Sequence, residues 1–243
     1  EFLRIAGAIG AAAGYYVQGI PEEQLYDRRR YQEAVADCYG CMARVGELAK
    51  SSGVGTVALE QMYTPHQPPF TIDGMRQLMR QMLRDGHHPL YLTEDVGHHC
   101  PFYLPPTEET LREGFTRYCL DGYIPLWLGS LRAQGLFAAE RQAGRQELRR
   151  DTIQAILEDS LQNSHLFCGQ RDTDCYEWLR ALGAWSPIIH LQQTDGRHSS
   201  HEPFSPESNE TGIIHPVKIL RALAESYAQP EDPTLPPRCE AIY

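Results

Sequence analysis

Apolar residues along this chain alternate between two spacings. Short continuous apolar runs occupy residues 3–9, 54–59, 90–93 and 188–190, the length of buried strands. Between them, apolar positions recur three and four residues apart, as on one face of a helix. Tyr31, Val35, Cys38, Met42, Val45 and Leu48 make one such face, opened by Pro21-Glu22-Glu23 and closed by Ser51-Ser52-Gly53. Met75, Leu78, Met79, Met82 and Leu83 make another, capped by Thr71 and stopped by Asp85-Gly86. Small residues 10–14 extend the first run, which suits a strand whose backbone comes close to a ligand. The order strand, helix, strand, helix, strand with short connections predicts a parallel sheet.

Further along, helices are predicted from Pro105-Pro106-Thr107 through about Tyr118, over 142–161, over 174–182 and over 215–223. Residues 197–211 are polar and turn-rich and read as a loop, and 230–237 as a linker. Residues 239–243 start another strand. That makes five strand candidates, fewer than the eight of a closed barrel. The pattern fits a (β/α)8 TIM barrel lacking its first strands and cut inside its last, with an open doubly wound sheet as the weaker reading. The whole chain, 1–243, reads as one such domain with a helical insertion at 122–163.

Three of the strands end in residues that bind metals. The runs lead into Glu60, into Glu94-Asp95 with His98 and His99 behind, and into His190. Buried strands delivering a carboxylate or imidazole at their C-terminal ends are how a parallel barrel builds an active site. Glu, Asp and His in that order imply one divalent ion held by oxygen and imidazole. Singly each residue has a plainer role. Glu60 could cap a helix, Asp95 could accept from nearby amides, and His190 could be a satisfied core imidazole. Only one of Gln192 and Gln193 can face such a site. His198 and His201 could line its mouth.

Composition narrows the partners. The 243 residues are 42% hydrophobic and 22% charged, with formal net charge -10. An acidic chain whose basic runs, Arg28-Arg29-Arg30 and Arg149-Arg150, sit among acids repels a phosphate backbone, so nucleic acid is not the expected partner. Seven irregularly spaced cysteines argue against a disulfide framework, and Cys38-x-x-Cys41 lies within a helical pattern, so the thiols read as structural. No apolar run reaches the roughly 18 residues of a membrane span, and the default compartment is the cytoplasm. A homo-oligomer is compatible with all of this.

Leu59-Glu60, Asp95-Val96-Gly97-His98 and His190 followed by Arg197 resemble the xylose isomerase-like TIM barrels, in particular the tagatose 3-epimerase type. The resemblance implies a divalent-metal-dependent isomerase or epimerase of a small ketose or ketose phosphate, working through an enediolate. It implies one ion, manganese, magnesium or cobalt before zinc, held by Glu60, Asp95 and His190 together with a second Glu. It implies Glu60 as the base, and His98 and Arg197 as substrate-binding residues. Two departures follow. Where the family often has a further acid six residues after the first Glu ligand, this chain has His66, which takes the substrate-binding position. The second Glu belongs on the last strand, where Glu240 comes too early, so the fourth ligand is expected beyond Tyr243. The competing classes are an endonuclease IV-like phosphodiesterase and a non-catalytic barrel homologue.

Overall fold

Among the described residues, four short strands form one sheet in which every pair is parallel and the spatial order is the chain order. The structure, a computed structural model, describes residues 1–16, 19–99, 101–197 and 199–243, so His198 lies outside the described residues. The elements run α1 (Phe2–Ala8), β1 (Ala13–Tyr15), α2 (Glu22–Leu25), α3 (Arg28–Ser51), β2 (Val57–Glu60), α4 (Ile72–Arg84) and β3 (Leu90–Asp95). Then come α5 (Glu108–Asp121), α6 (Leu131–Gln142), α7 (Arg150–Gln162), α8 (Cys175–Leu182), β4 (Ile188–His190), α9 (Pro206–Thr211) and α10 (Pro216–Ala228). Each crossover carries at least one helix. The order never reverses, so the doubly wound alternative, which requires a switch point, does not apply. The sheet is half of a TIM barrel in strand number.

The helices start where side chains can take up free amides. Asp27 accepts from the Arg29 and Arg30 amides at 3.0 Å, Thr71 from Gly74, and Thr107 from Thr110 in a reciprocal capping box. Met75, Met79 and Met82 form the buried stripe of α4, in one cluster with Leu59 and Leu92 on the helix-facing side of β2 and β3. Burying each such leucine contributes about 1.5–3 kcal/mol. The α8 residues Trp178 and Leu182 complete this cluster. Helices α5, α6 and α7 close a separate cluster around Leu111, Phe115, Phe137, Ile153 and Ile156.

Four expectations change. Residues 3–9 form helix α1, not a strand. A short apolar run does not declare its period. Here Ala6 is buried, and Gly10 (φ 69°) ends the helix as Ala11 N–H returns to the Ala6 carbonyl at 2.9 Å. The first strand is Ala13–Tyr15, inside the small-residue stretch. The helix expected over 142–161 begins only at Arg150 (α7), because α6, which was not expected, runs from Leu131 to Gln142 and Gly144 (φ 70°) turns the chain after it. The loop expected over 197–211 contains α9, capped by Ser205 accepting from Ser208 N–H. At the other end, no strand is formed over 239–243. Tyr243 nonetheless exchanges backbone hydrogen bonds of 2.9 Å with Pro187 and Ile189, in the parallel pattern beside β4.

The segment after α10 is tied to α4 by an ion pair. Arg80 Nη2 lies 2.6 Å from Asp232 Oδ2. Hydrogen bonds from the Thr234 hydroxyl and from Arg80 pull the Asp232 carboxyl from 3.8 down to about 2. A lowered folded-state value means the carboxylate adds stability above about 3.8, and that stability is lost as pH falls through about 2. With Asp232 28% and Arg80 41% exposed, solvent screening holds this to about 1 kcal/mol. Urea unfolding of Asp232→Asn should show a loss of that order at neutral pH, and convergence with the unsubstituted chain near pH 2. An equal loss at both pH values would rule out the ionic contribution.

Candidate metal centre

Glu60, Asp95 and His190 are the last residues of β2, β3 and β4. In the parallel ladder Glu60 is level with Thr93, Thr93 with Ile188, and Asp95 with His190. Every offset is even, so all five side chains share one face of the sheet. That face is opposite the one buried by Leu59 and Leu92. The ends therefore converge: His190 Nδ1 lies 3.4 Å from Glu60 Oε1 and 3.3 Å from Asp95 Oδ2. One ligand atom from each of the three falls within 4.8 Å of the others. A cavity of about 470 Å³ opens beside them, lined by Gly14, Tyr15, Glu60, Thr93, Ile188 and His190. Gly14 is small for a reason: a Cβ there would lie 3.3 Å from Thr93 Oγ1 and 3.4 Å from Ile188 Cδ1. A larger groove of about 630 Å³ between α3 and α4 holds none of these ligands.

Asp95 is buried and heavily engaged. Its Oδ1 accepts from Gly97 N–H at 2.8 Å, and its Oδ2 accepts from Gln192 Nε2 at 2.8 Å. The turn after β3 brings His98 back beneath it, with Nε2 4.0 Å from Asp95 Oδ2. His98 Nδ1 sits 2.5 Å from the Gln61 carbonyl. A carbonyl can only accept, so Nδ1 carries the proton and Nε2 presents its lone pair. Burial pushes the His98 imidazole below its usual 6.5, against Asp95 and the Gln61 carbonyl, which push it up. A neutral imidazole with a fixed tautomer can bind a cation or accept from a hydroxyl.

The other expected residues are placed differently. Arg197 points outward, its side chain 81% exposed and 4.0 Å from Asp195, so it does not join the cluster. His66 Nδ1 lies 3.1 Å from the Ile20 carbonyl, and its ring meets Trp127 edge-on. His201 does reach the site, with Nε2 4.0 Å from Asp95 Oδ2 and its ring 5.2 Å from His98. Gln192 is the glutamine that faces Asp95, while Gln193 turns away to Asn209 and Ile214. His201 stands in a polar loop without periodicity, and only its residue type marked it.

Glu94 points to the opposite face from Asp95, fully buried, and neither carboxyl oxygen has a hydrogen-bond partner. Burial, with a smaller push from Asp95, raises its pKa well above 4.5.

Strand number, parallel order and the polar strand ends together define half of a TIM barrel, the fold class that the sequence pattern implied. The chain aligns over its full length with the crystal structure of a provisionally named xylose isomerase from Rhodospirillum rubrum ATCC 11170. That alignment has a TM-score of 0.55 and 16% identity and covers 58% of that chain, so the likeness is one of fold. In sequence, 57 residues are 40% identical to D-erythrulose 1-phosphate 3-epimerase of Brucella abortus (strain 2308), covering 24% of this chain and 18% of that enzyme. The chain thus spans under two thirds of the length of either relative. No family model matches.

Two outcomes test the centre. Purified chain loaded with Mn²⁺ should hold it, and Glu60→Gln, Asp95→Asn and His190→Ala should each lower the bound metal found by elemental analysis. Unchanged metal content in all three would exclude this ligand set. Glu94→Met removes two unpaired buried oxygens, and such atoms cost about 1–3 kcal/mol. The variant should unfold at higher urea concentration with its metal content intact. A less stable variant would mean that Glu94 has a partner in solution.

Proposed function

We propose that this chain carries the metal-binding strand ends of an isomerase or epimerase acting on a small ketose or ketose phosphate. The observation that carries the reading is the convergence of Glu60, Asp95 and His190 at three successive strand ends beside a cavity. The two named relatives, a sugar-phosphate epimerase and a xylose isomerase, support the substrate class.

Two carboxylate oxygens and one imidazole nitrogen suit a divalent ion such as Mn²⁺, Mg²⁺ or Co²⁺. Bound there, it would supply positive charge against the negative charge that develops on a sugar oxygen when the neighbouring C–H loses its proton. Glu60 faces the cavity and is the base for that proton. His98, with Nδ1 tied to Gln61, offers Nε2 to a substrate hydroxyl. Gln192 holds Asp95 Oδ2 in orientation. Gly14, level with Ala58 on the site's face of the sheet, bounds the cavity on the β1 side.

Epimerisation needs proton-handling groups on both faces of the reacting carbon. Glu240 does not serve: it is exposed, before the point where Tyr243 meets Pro187 and Ile189. No further carboxylate joins Glu60 and Asp95 in the clusters found among the described residues. The acidic net charge of -10 favours a sugar over a nucleic acid substrate.

Incubation of the Mn²⁺-loaded chain with tetruloses, pentuloses and their 1-phosphates in D₂O should exchange the proton next to the carbonyl. Exchange should exceed epimerisation, because Glu60 works from one face. Glu60→Gln should abolish exchange, a loss of about 10²-fold or more. Tight, salt-sensitive DNA binding with no exchange on any sugar would reverse the assignment in favour of a phosphodiesterase.

A further inference from the structure

The cavity at the strand ends has a floor, and one buried hydroxyl faces into it without a partner. Thr93 lies two residues before Asp95 on β3 and on the same face of the sheet, about 6.6 Å further down the strand. Its side chain is 1% exposed and lines the cavity of about 470 Å³ together with Glu60 and His190. Its Oγ1 has no hydrogen-bond partner. A valine has the same shape, suits a strand equally well and leaves no polar atom unpaired. The hydroxyl therefore lowers the stability of the fold, and what it adds is a donor and an acceptor at the bottom of a cavity.

The curl of the sheet and an absent side chain keep that hydroxyl open. A flat sheet would hold β1 and β4 about 14 Å apart, three strand spacings. Here a Cβ on Gly14 of β1 would lie 3.4 Å from Ile188 Cδ1 of β4 and 3.3 Å from Thr93 Oγ1. The outer strands thus approach each other across β3, and glycine leaves clear the space that a side chain would take in front of Oγ1. Gly14, Thr93 and Ile188 form the floor, and none of them carries a charge.

We propose that Thr93 binds the inner end of the substrate's carbon chain through a hydroxyl group and so determines which sugars the site takes. The floor offers a hydrogen bond and no cation, so that end is a free hydroxymethyl. A phosphate placed there would give up its water with no positive charge to receive it. A phosphate on the other end stays toward the loops, and a sugar phosphorylated at both ends is excluded. This deepens the sugar reading of the cavity and rests on it.

Binding of a pentulose, its 1-deoxy and 5-deoxy analogues and its 1,5-bisphosphate to the Mg²⁺-loaded chain is measured by titration calorimetry. Thr93→Val should weaken pentulose binding roughly tenfold, the size of one neutral hydrogen bond. Thr93→Ser keeps the hydroxyl and should bind as the unsubstituted chain does. One of the two deoxy analogues should bind the unsubstituted chain and Thr93→Val equally, because the group that Thr93 holds is gone. The bisphosphate should bind neither. In urea without metal, Thr93→Val should be at least as stable as the unsubstituted chain. Equal pentulose binding by the two chains, the same loss on all three sugars, a bound bisphosphate or a less stable Thr93→Val would overturn the assignment of Thr93 alone. Failure of the sugar reading looks different, since the unsubstituted chain would then bind none of the sugars and both would fall. Thr93-dependent binding with metal content unaffected by Glu60→Gln would sink the metal centre and leave Thr93 in place.

Discussion

The parallel register of β3 with both of its neighbours governs everything at the strand ends. Thr93 is level with Glu60 on one side and Ile188 on the other, and Asp95 is level with His190. A slip of one residue in either pairing would turn Glu60 or His190 toward the helices and Leu59 or Ile189 toward the cavity. The register is held by what lies on the other face. Leu59 and Leu92 are fully buried against the methionine stripe of α4, and a slip would expose them while burying a carboxylate without a partner. The apolar packing thus fixes the position of the polar site without touching it.

That site is costly on its own. Glu60 and Asp95 bring like charges within 4.8 Å, which at an effective dielectric near 20 amounts to about 3 kcal/mol of repulsion. The Gly97 amide, Gln192 and His190 offset part of it. A cation would offset the rest, so a cluster that burdens the fold is well arranged for binding. The neighbouring Glu94 is a different case, because it lies on the helix-facing side and burial disfavours its charge. Two acids adjacent in sequence therefore meet opposite surroundings, a direct result of the two-residue period of a strand.

The central elements were legible because periodicity and caps agreed. Helices α3 and α4 carry clear apolar faces, with Thr71 at the start of α4, and β2, β3 and β4 are short runs around them, whereas the start read at Pro21-Glu22-Glu23 belongs to the short α2 and α3 opens at Asp27. Glu60, Asp95 and His190 were legible for the same reason, since a strand end fixes where its last side chain points. Residues 3–9 misled because a short run of apolar and small residues broken only by Arg4 fits either period, and burial of Ala6 decided it. Arg197 and His66 misled because loop residues take their direction from tertiary contacts. Arg197 turns to Asp195, and His66 to the Ile20 carbonyl. No local pattern encodes either choice.

His201 shows the reverse, a loop residue that the fold brings in. The backbone leaving β4 keeps its alternation for a few residues, so Gln192 turns in toward Asp95 and Gln193 turns out. Gln193 then fastens the following segment. Its Nε2 donates to Asn209 Oδ1 and the Ile214 carbonyl, and its Oε1 accepts from the Ile214 amide. Gly212 packs so closely that a Cβ there would overlap this amide group at 2.1 Å. The backbone of Gln193 also pairs with Glu202, the residue after His201. One glutamine therefore sets both the return of the chain toward α10 and the position of His201, while the glutamine before it orients Asp95. The imidazole that approaches Asp95 from the loop is placed by the same strand end that supplies His190. Loop and strand contributions to the site are thus mechanically one unit, joined through three consecutive-in-space residues, His190, Gln192 and Gln193.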